Sequence, residues 1–437
     1  MKDHLTDIAS QSIQPCIVAR VFDETFGELG FVVIDRPVRG AASGGVRFTP
    51  TVTLDEIINV ARSMTYKWAF LNVPMGGAKA GISANPAQLG CDRLTLMEAF
   101  GRSIAPLVQQ GVYYPGIDMG TTMDDLQAIM RGVGRPLVGE QIDGSLSTSL
   151  TVFETIRQSA RFVGLDLKNL RVAVEGYGKV ASGLTRLLVE AGAKILALST
   201  IEGGICVEAG LDVSLLASLK QQHGDALVRH YPNAQRIEGA ALYTQAVDVL
   251  VPGAETHVIN ANNAGQIQAR LIAPIANAPV TLEAEQMLTA RGVVVIPDFV
   301  SNCGGVLASD IQGAGFDIDD GQRMIETVFA EVVRCMLENA HRQNRSVGEV
   351  ARTVAWQNYL ELDERIVTPP VRKSGLSVLL KNGDWRSFWR RVAWRLYQRA
   401  PRLKGATRRS AVERFAEFRL GATLARAASL QVTYPTR

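Results

Sequence analysis

Hydrophobic and polar positions fall into two styles along this chain. Up to about residue 145, short strand-like runs stand beside helical stripes. CIVARVFD and GELGFVVID read as two strands joined by a turn. Thr53-x-x-Glu56 forms a capping-box start for a helix running through IINVARSMTYKWAF. Leu94 to Val108 carries a second helical stripe. From Leu170 strand and helix alternate, as LRVAVEG, GKVASGLTRLLVEAG and AKILALST. The later runs VDVLVPG, ARLIAPIANA and VVVIPDF are short, rich in Val and Ile, and closed by Gly, Pro or Asp. That is the pattern of parallel strands buried on both faces. Helical periodicity returns from about Ile325 to Ile366, and no internal repeat or low-complexity block interrupts the chain.

Composition narrows the class. The chain has 437 residues, 47% of them hydrophobic and 20% charged. At about 150 residues per domain this predicts two or three domains, and it excludes a mainly disordered, collagen-like or disulfide-stapled chain. No run of 18 uncharged apolar residues occurs, so no membrane span is expected. The start MKDHLTDIASQSIQ has no apolar signal core, so secretion is not expected. Five scattered cysteines without a CxxC pair read as reduced thiols of a cytoplasmic protein. The five histidines show no metal-ligand spacing, so no metal is expected. Charge is uneven. From Lys381 to Arg437 there are 14 Lys/Arg against 3 Asp/Glu, a net of +11. With +3 for the whole chain, the first 380 residues carry −8.

Gly176-Tyr177-Gly178-Lys179-Val180-Ala181 is a GxGxxA turn directly after a strand and opening a helix. The first glycine permits the tight turn and the second lets backbone approach a pyrophosphate. Ala181 lets the helix pack close to the sheet, with its N-terminal amides facing the phosphates. The strand–turn–helix–strand context is complete, which favours a dinucleotide site over an idle glycine turn. The second strand ends at Leu198-Ser199-Thr200 without the acid that would hold a ribose 2′-hydroxyl. No arginine stands beside Thr200 in sequence, and Glu202 can serve the ribose instead, so NAD and NADP both stay open.

Between Ser63 and Cys91 the only charges are Lys67 and Lys79. Lys67 lies on a helix whose neighbours at three and four positions are Ser63, Met64, Phe70 and Leu71, a helix buried nearly all round. Burying an unpaired ammonium costs several kcal/mol, roughly, so such a lysine needs an anion or a shifted pKa. Lys79 sits in GGAKAG, where small residues would let a ligand approach. Asp118 is an isolated acid in the glycine-, proline- and threonine-containing segment PGIDMGTT, which suggests a loop. Singly, each lysine could snorkel to solvent and Asp118 could cap a helix through Gly120-Thr121-Thr122. Three isolated charges upstream of a dinucleotide turn favour a site that uses perturbed lysines near neutral pH.

Here the motifs coincide with a known pattern. GGVRFTP (44–50), MTYKWAFLNVPMGGAKAGI (64–82), PGIDMGTT (115–122), VEGYGKVA (174–181), ANAP (276–279) and PDFVSNCGGV (297–306) occur in the order and spacing of the glutamate/leucine/phenylalanine/valine dehydrogenases, which the chain resembles over roughly residues 20 to 365. The resemblance implies NAD(P)-dependent oxidative deamination of an L-amino acid to a 2-oxo acid and ammonia, and the reverse. It implies that Lys67 binds the substrate α-carboxylate, that Lys79 is the low-pKa catalytic lysine, and that Asp118 shuttles protons at the substrate nitrogen. Ser43, Gly44, Asn302 and Ser309 would line the substrate. Thr148 and Asn277 would hold the nicotinamide or its amide, and Ala254, Gly176, Gly178, Lys179, Val180, Ala181, Ser199 and Thr200 would also bind the cofactor. Physically, one cation fixes a carboxylate, a second stabilises oxyanion character, and a carboxylate carries the proton.

The pattern also has departures. Glutamate-specific members carry a lysine before the GGxRF segment, paired with the substrate's side-chain carboxylate; this chain has Ser43. A buried γ-carboxylate without that partner loses about 2–5 kcal/mol, which argues for a neutral substrate, apolar or aromatic. Ser147-Thr148-Ser149 and Pro274-Ile275 replace the family's residues beside the nicotinamide contacts.

In the tail, Trp385, Phe388, Trp389, Val392 and Leu396 form one helical stripe and Arg391, Arg395 and Arg399 another, with a second basic helix from Arg408 to Leu424. A basic amphipathic helix can bind a membrane surface or nucleic acid, but it more often packs on its own acidic body. The expected architecture is α/β. An N-terminal α/β substrate and oligomerisation domain (1–145, completed by helices in 336–375) precedes a Rossmann dinucleotide-binding domain (146–335), with the site in the cleft between them and a basic helical C-terminal extension (376–437). A homo-oligomer is expected, and a nucleic-acid partner is not. The alternatives are a dehydrogenase for another carboxylate-bearing amine or imine, and a catalytically silent regulatory or nucleic-acid-binding homologue that uses the basic tail.

Overall fold

The computed structural model describes residues 14–364, except 86–88, 91, 138–142 and 315, together with 406–430. These divide into two units, 14–137 with 355–364, and 143–354 with 406–430. Of the segment that completes the first unit, 355–364 is the described part, and residues up to 354 stay with the second unit.

The first unit is built on a five-stranded sheet of order β1-β2-β4-β3-β5. Its strands are β1 (Ile17–Asp23), β2 (Gly27–Arg36), β3 (Ala42–Phe48), β4 (Gly76–Ile82) and β5 (Tyr113–Ile117). β1, β2 and β4 run antiparallel to their neighbours in turn, whereas β3 is parallel to β4 and β5. One face is covered by α2 (Asp92–Gln109) and α3 (Met123–Val133), through Val32, Ile34, Val46, Phe48, Ala78 and Ala80 against Met97, Phe100 and Ile129. The other is covered by α1 (Leu54–Phe70), where Ile57 and Ala61 meet Val33 and Val52. Thr53 caps α1 as expected, its Oγ1 accepting from the Glu56 amide.

β4 is buried at every position, and this corrects the reading of GGAKAG as an opening for a ligand. A Cβ on Gly77 would lie 2.1 Å from the Thr65 nitrogen on α1, and one on Gly44 would lie 1.6 Å from the Ala78 oxygen. Here the glycines let helix and strand close on β4. Asp118 is not a helix cap: Thr122 caps α3 in a capping box with Asp125.

The second unit carries a seven-stranded sheet of order β12-β11-β10-β6-β7-β8-β9. β12 (Val294–Val295), β11 (Leu271–Ile272), β10 (Val249–Val251), β6 (Arg171–Glu175) and β7 (Lys194–Thr200) are parallel; β8 (Gly203–Cys206) and β9 (Gln235–Ile237) are antiparallel. α4 (Ser145–Phe162) precedes the sheet and α5 (Lys179–Glu190) joins β6 to β7. Later come α6 (Gly304–Gly313), α7 (Ala330–Arg342), α8 (Val347–Glu364) and α9 (Ala406–Ser429). The end of α8 returns to the first unit, where Asn358 Nδ2 donates to the Ala69 oxygen at 2.9 Å.

α9 is the second basic helix of the tail. It buries Val412, Phe415, Ala416 and Leu420, and Asn339 and Arg342 of α7 donate to the carbonyls of Ala427 and Ala428. It is thus spent on packing within its own unit. The stripe from Trp385 to Arg399 lies outside the described residues. Among the described residues Cys16, Cys206, Cys303 and Cys335 form no disulfide, and no helix is long and apolar enough to cross a membrane.

Candidate active site and dinucleotide site

Strand alternation decides which charges meet in the first unit. Ala78, Ala80 and Ile82 enter the core beneath α2, so Gly77, Lys79 and Gly81 face α1, where Gly77 meets Thr65 and Gly81 meets Ile57. On β3, Val46 and Phe48 enter the same core beneath α2, which turns Ser43, Gly45 and Arg47 toward α1 as well.

Lys79 is 2% exposed and its Nζ lies 2.9 Å from Asp118 Oδ1. Arg47 Nε reaches the other carboxylate oxygen at 2.9 Å, and the same guanidinium is ion-paired with Glu56 on α1. A Cβ on Gly45 would fall 2.8 Å from Asp118 Cβ, so the second glycine of GGVRF is what lets the Asp118 loop close on β3. Burial is the largest influence on Lys79. With the charges of Arg47 and Lys67 it outweighs the attraction of Asp118 and brings the ammonium down from 10.5 to about 8. For Asp118 burial works against ionisation, yet Lys79 and Arg47 prevail and hold the carboxyl well below the ordinary carboxylate range. Lys67, 5% exposed in the last turn of α1, is near enough for its charge to act on Lys79.

Arg47 is the residue that sequence reasoning missed. It lay in a quoted motif, but its partners are 9 and 71 positions away. Beside this cluster Ser43 Oγ donates to the Tyr114 oxygen at 3.0 Å, and the Ser43 carbonyl accepts from Trp68 Nε1 at 3.1 Å. Gly44 accepts from the buried Tyr113 hydroxyl at 2.9 Å.

In the second unit the GxGxxA turn has the form its sequence requires. Gly176 has φ +79°, a left-handed conformation suited to glycine. Gly178 caps α5 without a side-chain cap, and a Cβ there would meet nothing within 4 Å. Ala181 is buried against the sheet and Val180 half-buried, its oxygen accepting from Ser149 Oγ. Lys179 points outward to Asp143. Glu175, another residue that sequence reasoning missed, accepts from Tyr243 Oη at 2.6 Å and from the amides of Gly253 and Ala254 at 3.0 and 3.2 Å. It ties the Ala254 loop to the turn, and burial pushes its pKa up.

At the end of β7, Ser199 is buried and Thr200 Oγ1 donates to the Asp225 oxygen at 2.7 Å. Glu202 is ion-paired with Arg229. An arginine therefore does reach the region next to Thr200, from a helical turn 27 positions beyond Glu202 that the sequence alone could not place.

Asn302 Nδ2 donates to the Ile275 and Ala276 oxygens and to Asn277 Oδ1, while its own Oδ1 is buried without a hydrogen-bond partner. A Cβ on Gly305 would stand 3.2 Å from Thr148 Oγ1, so Thr148 lies at the start of α6. Ser309 is different: it is exposed, and its hydroxyl turns back to the Gly305 oxygen. The open second glycine, the uncapped α5 terminus and the orphaned Asn302 acceptor fit a dinucleotide with a polar nicotinamide end.

A parallel sheet with this turn, in a chain that also buries a Lys–Asp–Arg cluster, defines a dinucleotide-dependent oxidoreductase. Residues 25–134 match the Glu/Leu/Phe/Val dehydrogenase dimerisation domain, and residues 142–362 match the Glutamate/Leucine/Phenylalanine/Valine dehydrogenase family. The chain belongs to that family, and it is an NAD(P)-dependent amino acid dehydrogenase. It is 31% identical to the glutamate dehydrogenase of Thermotoga maritima over 348 residues, covering 75% of this chain and 83% of that one. Among solved structures, the leucine-bound hetero-hexameric glutamate dehydrogenase of Thermus thermophilus is 26% identical with a TM-score of 0.70, covering 82% of this chain and 91% of that one. The L-tryptophan dehydrogenase of Nostoc punctiforme, 24% identical with a TM-score of 0.57, shares the fold over 82% of this chain and 99% of its own.

Proposed function

We propose that this chain catalyses the reversible oxidative deamination of a neutral L-amino acid, apolar or aromatic, to the 2-oxo acid and ammonia with NAD or NADP. The observation that carries the choice of substrate is Ser43. Its hydroxyl donates to the Tyr114 backbone oxygen and its carbonyl accepts from the Trp68 indole, so the position itself presents an uncharged side chain, not a cation for a γ-carboxylate. Lys67 binds the α-carboxylate. Lys79, titrating at about 8, accepts a proton from the attacking water in its neutral form and stabilises developing oxyanion character in its charged form. Asp118, held ionised by Lys79 and Arg47, accepts a proton from the substrate nitrogen and returns it in the reverse direction.

When bound, NAD(P) supplies the hydride acceptor or donor. Gly176, Gly178, Lys179, Val180 and Ala181 would hold its diphosphate, and Ser199 and Thr200 its adenosine ribose. Thr148, Ala254 and Asn277 would hold its nicotinamide end, while Asn302 offers its free acceptor to an N–H donor and Ser309 borders the substrate. We further infer a cytoplasmic homo-oligomer assembled through the first unit. Val18 and Phe22, 45% and 55% exposed on the same face of edge strand β1, support that reading.

One observation favours glutamate instead: the Thermotoga maritima relative is a glutamate dehydrogenase. Reduction of NAD and of NADP by a full panel of L-amino acids separates the two readings. The highest kcat/KM should fall on an apolar or aromatic substrate; glutamate as the best substrate would overturn the proposal. Ser43→Lys should raise activity on glutamate relative to the neutral substrate.

A further inference from the structure

The C-terminal helix lies beyond the residues that match the family, yet near its middle it carries a buried ion pair. Arg419 of α9 is 7% exposed. Its Nη2 donates to Asp310 Oδ1 at 2.9 Å and its Nε stands 2.8 Å from Oδ2. The guanidinium also lies over the Phe415 and Phe418 rings at 5.5 and 5.1 Å, and Phe415 packs on Phe316, just past α6, with ring centroids 5.4 Å apart. Asp310 is on α6. The first residues of that helix have no slack, since a Cβ on Gly304 would lie 2.0 Å from the Ser147 oxygen and 2.5 Å from the Thr148 nitrogen. Just before α6, Asn302 holds the 275–277 segment through three contacts. The second unit therefore contains a continuous path from α9 through Asp310 and α6 to Thr148, Asn302 and Asn277.

We propose that Arg419 and Asp310 are positioning residues, a latch by which the C-terminal helix fixes α6 and, through it, the residues that receive the nicotinamide end of the coenzyme. This rests on the coenzyme role assigned above to Thr148 and Asn277. A latch of two charges is suited to the task, because a buried guanidinium hydrogen-bonded to a carboxylate, with its Nε held beside the second oxygen, constrains orientation where apolar packing alone allows sliding. The aromatic rings around the guanidinium keep water from competing for the carboxylate.

Two full-length variants test it. Arg419→Met keeps the apolar stem and removes the cation that faces Asp310. Asp310→Asn with Arg419→Met removes both charges of the pair, so no buried carboxylate is left without its guanidinium. NADH and NADPH are titrated by nucleotide fluorescence, and amide exchange is followed over 143–152 and 304–313. The latch predicts that the double variant melts close to the parent, binds the preferred nucleotide about tenfold more weakly, as coupling through a packed network allows, and exchanges faster over both segments. KM for coenzyme should rise more than kcat falls, and Arg419→Lys should recover part of the affinity. A double variant with parental affinity and parental exchange overturns the latch. If the parent itself binds neither nucleotide, the coenzyme reading fails instead, while faster exchange over 304–313 would still register the mechanical link.

Discussion

Arg47 contributes, after burial, to lowering the pKa of the Lys79 ammonium in the candidate site. It also draws on the same carboxylate that Lys79 pairs with. Arg47→Met removes the repulsion and leaves Asp118 to Lys79 alone, and both changes raise the lysine pKa from about 8 toward 10.5. In the deamination direction, where neutral Lys79 is the base, the rising limb of kcat/KM should move to higher pH, with activity lost at pH 8 and partly regained above it. An unmoved limb would show that Lys79 is not the titrating base.

Lys79→Ala should cut kcat by about 10²–10⁴-fold, the range for removing a positioned acid–base group, while nucleotide binding is kept. Linkage gives a second readout. The native lysine releases its proton near 8 and the unfolded one near 10.5, so between those values the unfolded state binds more protons and this residue makes the protein more stable as pH rises. Thermal scans of the parent and Lys79→Met across that window should show the parent gaining stability relative to the variant. Lys79 and Asp118 were legible because a lone charge in an apolar stretch stands out in one dimension. Arg47 was not, because its two partners are brought to it only by the β3–β5 pairing and by the packing of α1.

Periodicity was informative where it was strong. β1, β2, α1, α2, β6, α5 and β7 fall where alternation and helical stripes put them. It did not single out β3, β4 and β5, since a strand made of glycine, alanine and one lysine shows no alternation. The glycines of β3 and β4 answer to neighbouring backbone, at Gly44 against Ala78 and Gly77 against Thr65, which only the folded chain brings near.

The dinucleotide turn shows the opposite case, with two glycines required for different reasons. Gly176 is needed for its φ of +79°, and Gly176→Ala should cost about 1–2 kcal/mol of stability. Gly178 has φ −84° and open space beyond its Cα, so Gly178→Val should cost under about 1 kcal/mol, the scale of an N-cap change, yet place a side chain where the diphosphate must lie. Calorimetry with and without NADH checks this. The Val variant should melt near the parent and lose the coenzyme-induced rise, which for the parent reaches about 2.7 kcal/mol at a hundredfold excess over Kd. A parental rise in Gly178→Val would remove the turn from the coenzyme site.

At the scale of the whole molecule, the charge map and the exposed apolar map point to different surfaces. The basic tail is expected to pack on its own body, and its described helix turns Phe415, Leu420 and Arg419 inward onto its own unit. The exposed apolar side chains of the first unit include Val18 and Phe22, which flank Arg20 on one face of β1. β1 is an edge strand of a five-stranded sheet. An edge strand with apolar residues and unpaired backbone groups is a template for association with another chain. Closed symmetry makes the same patch on a second copy the natural partner. Light scattering should therefore give a mass that is a multiple of 47.3 kDa. Val18→Glu with Phe22→Glu should lower it, since two carboxylates on each side of a self-complementary interface oppose each other. Because both side chains are largely exposed in the single chain, the variant should keep its secondary structure. A variant of unchanged mass would place assembly on another surface of the molecule, and a monomeric parent would remove the oligomer from the proposal altogether.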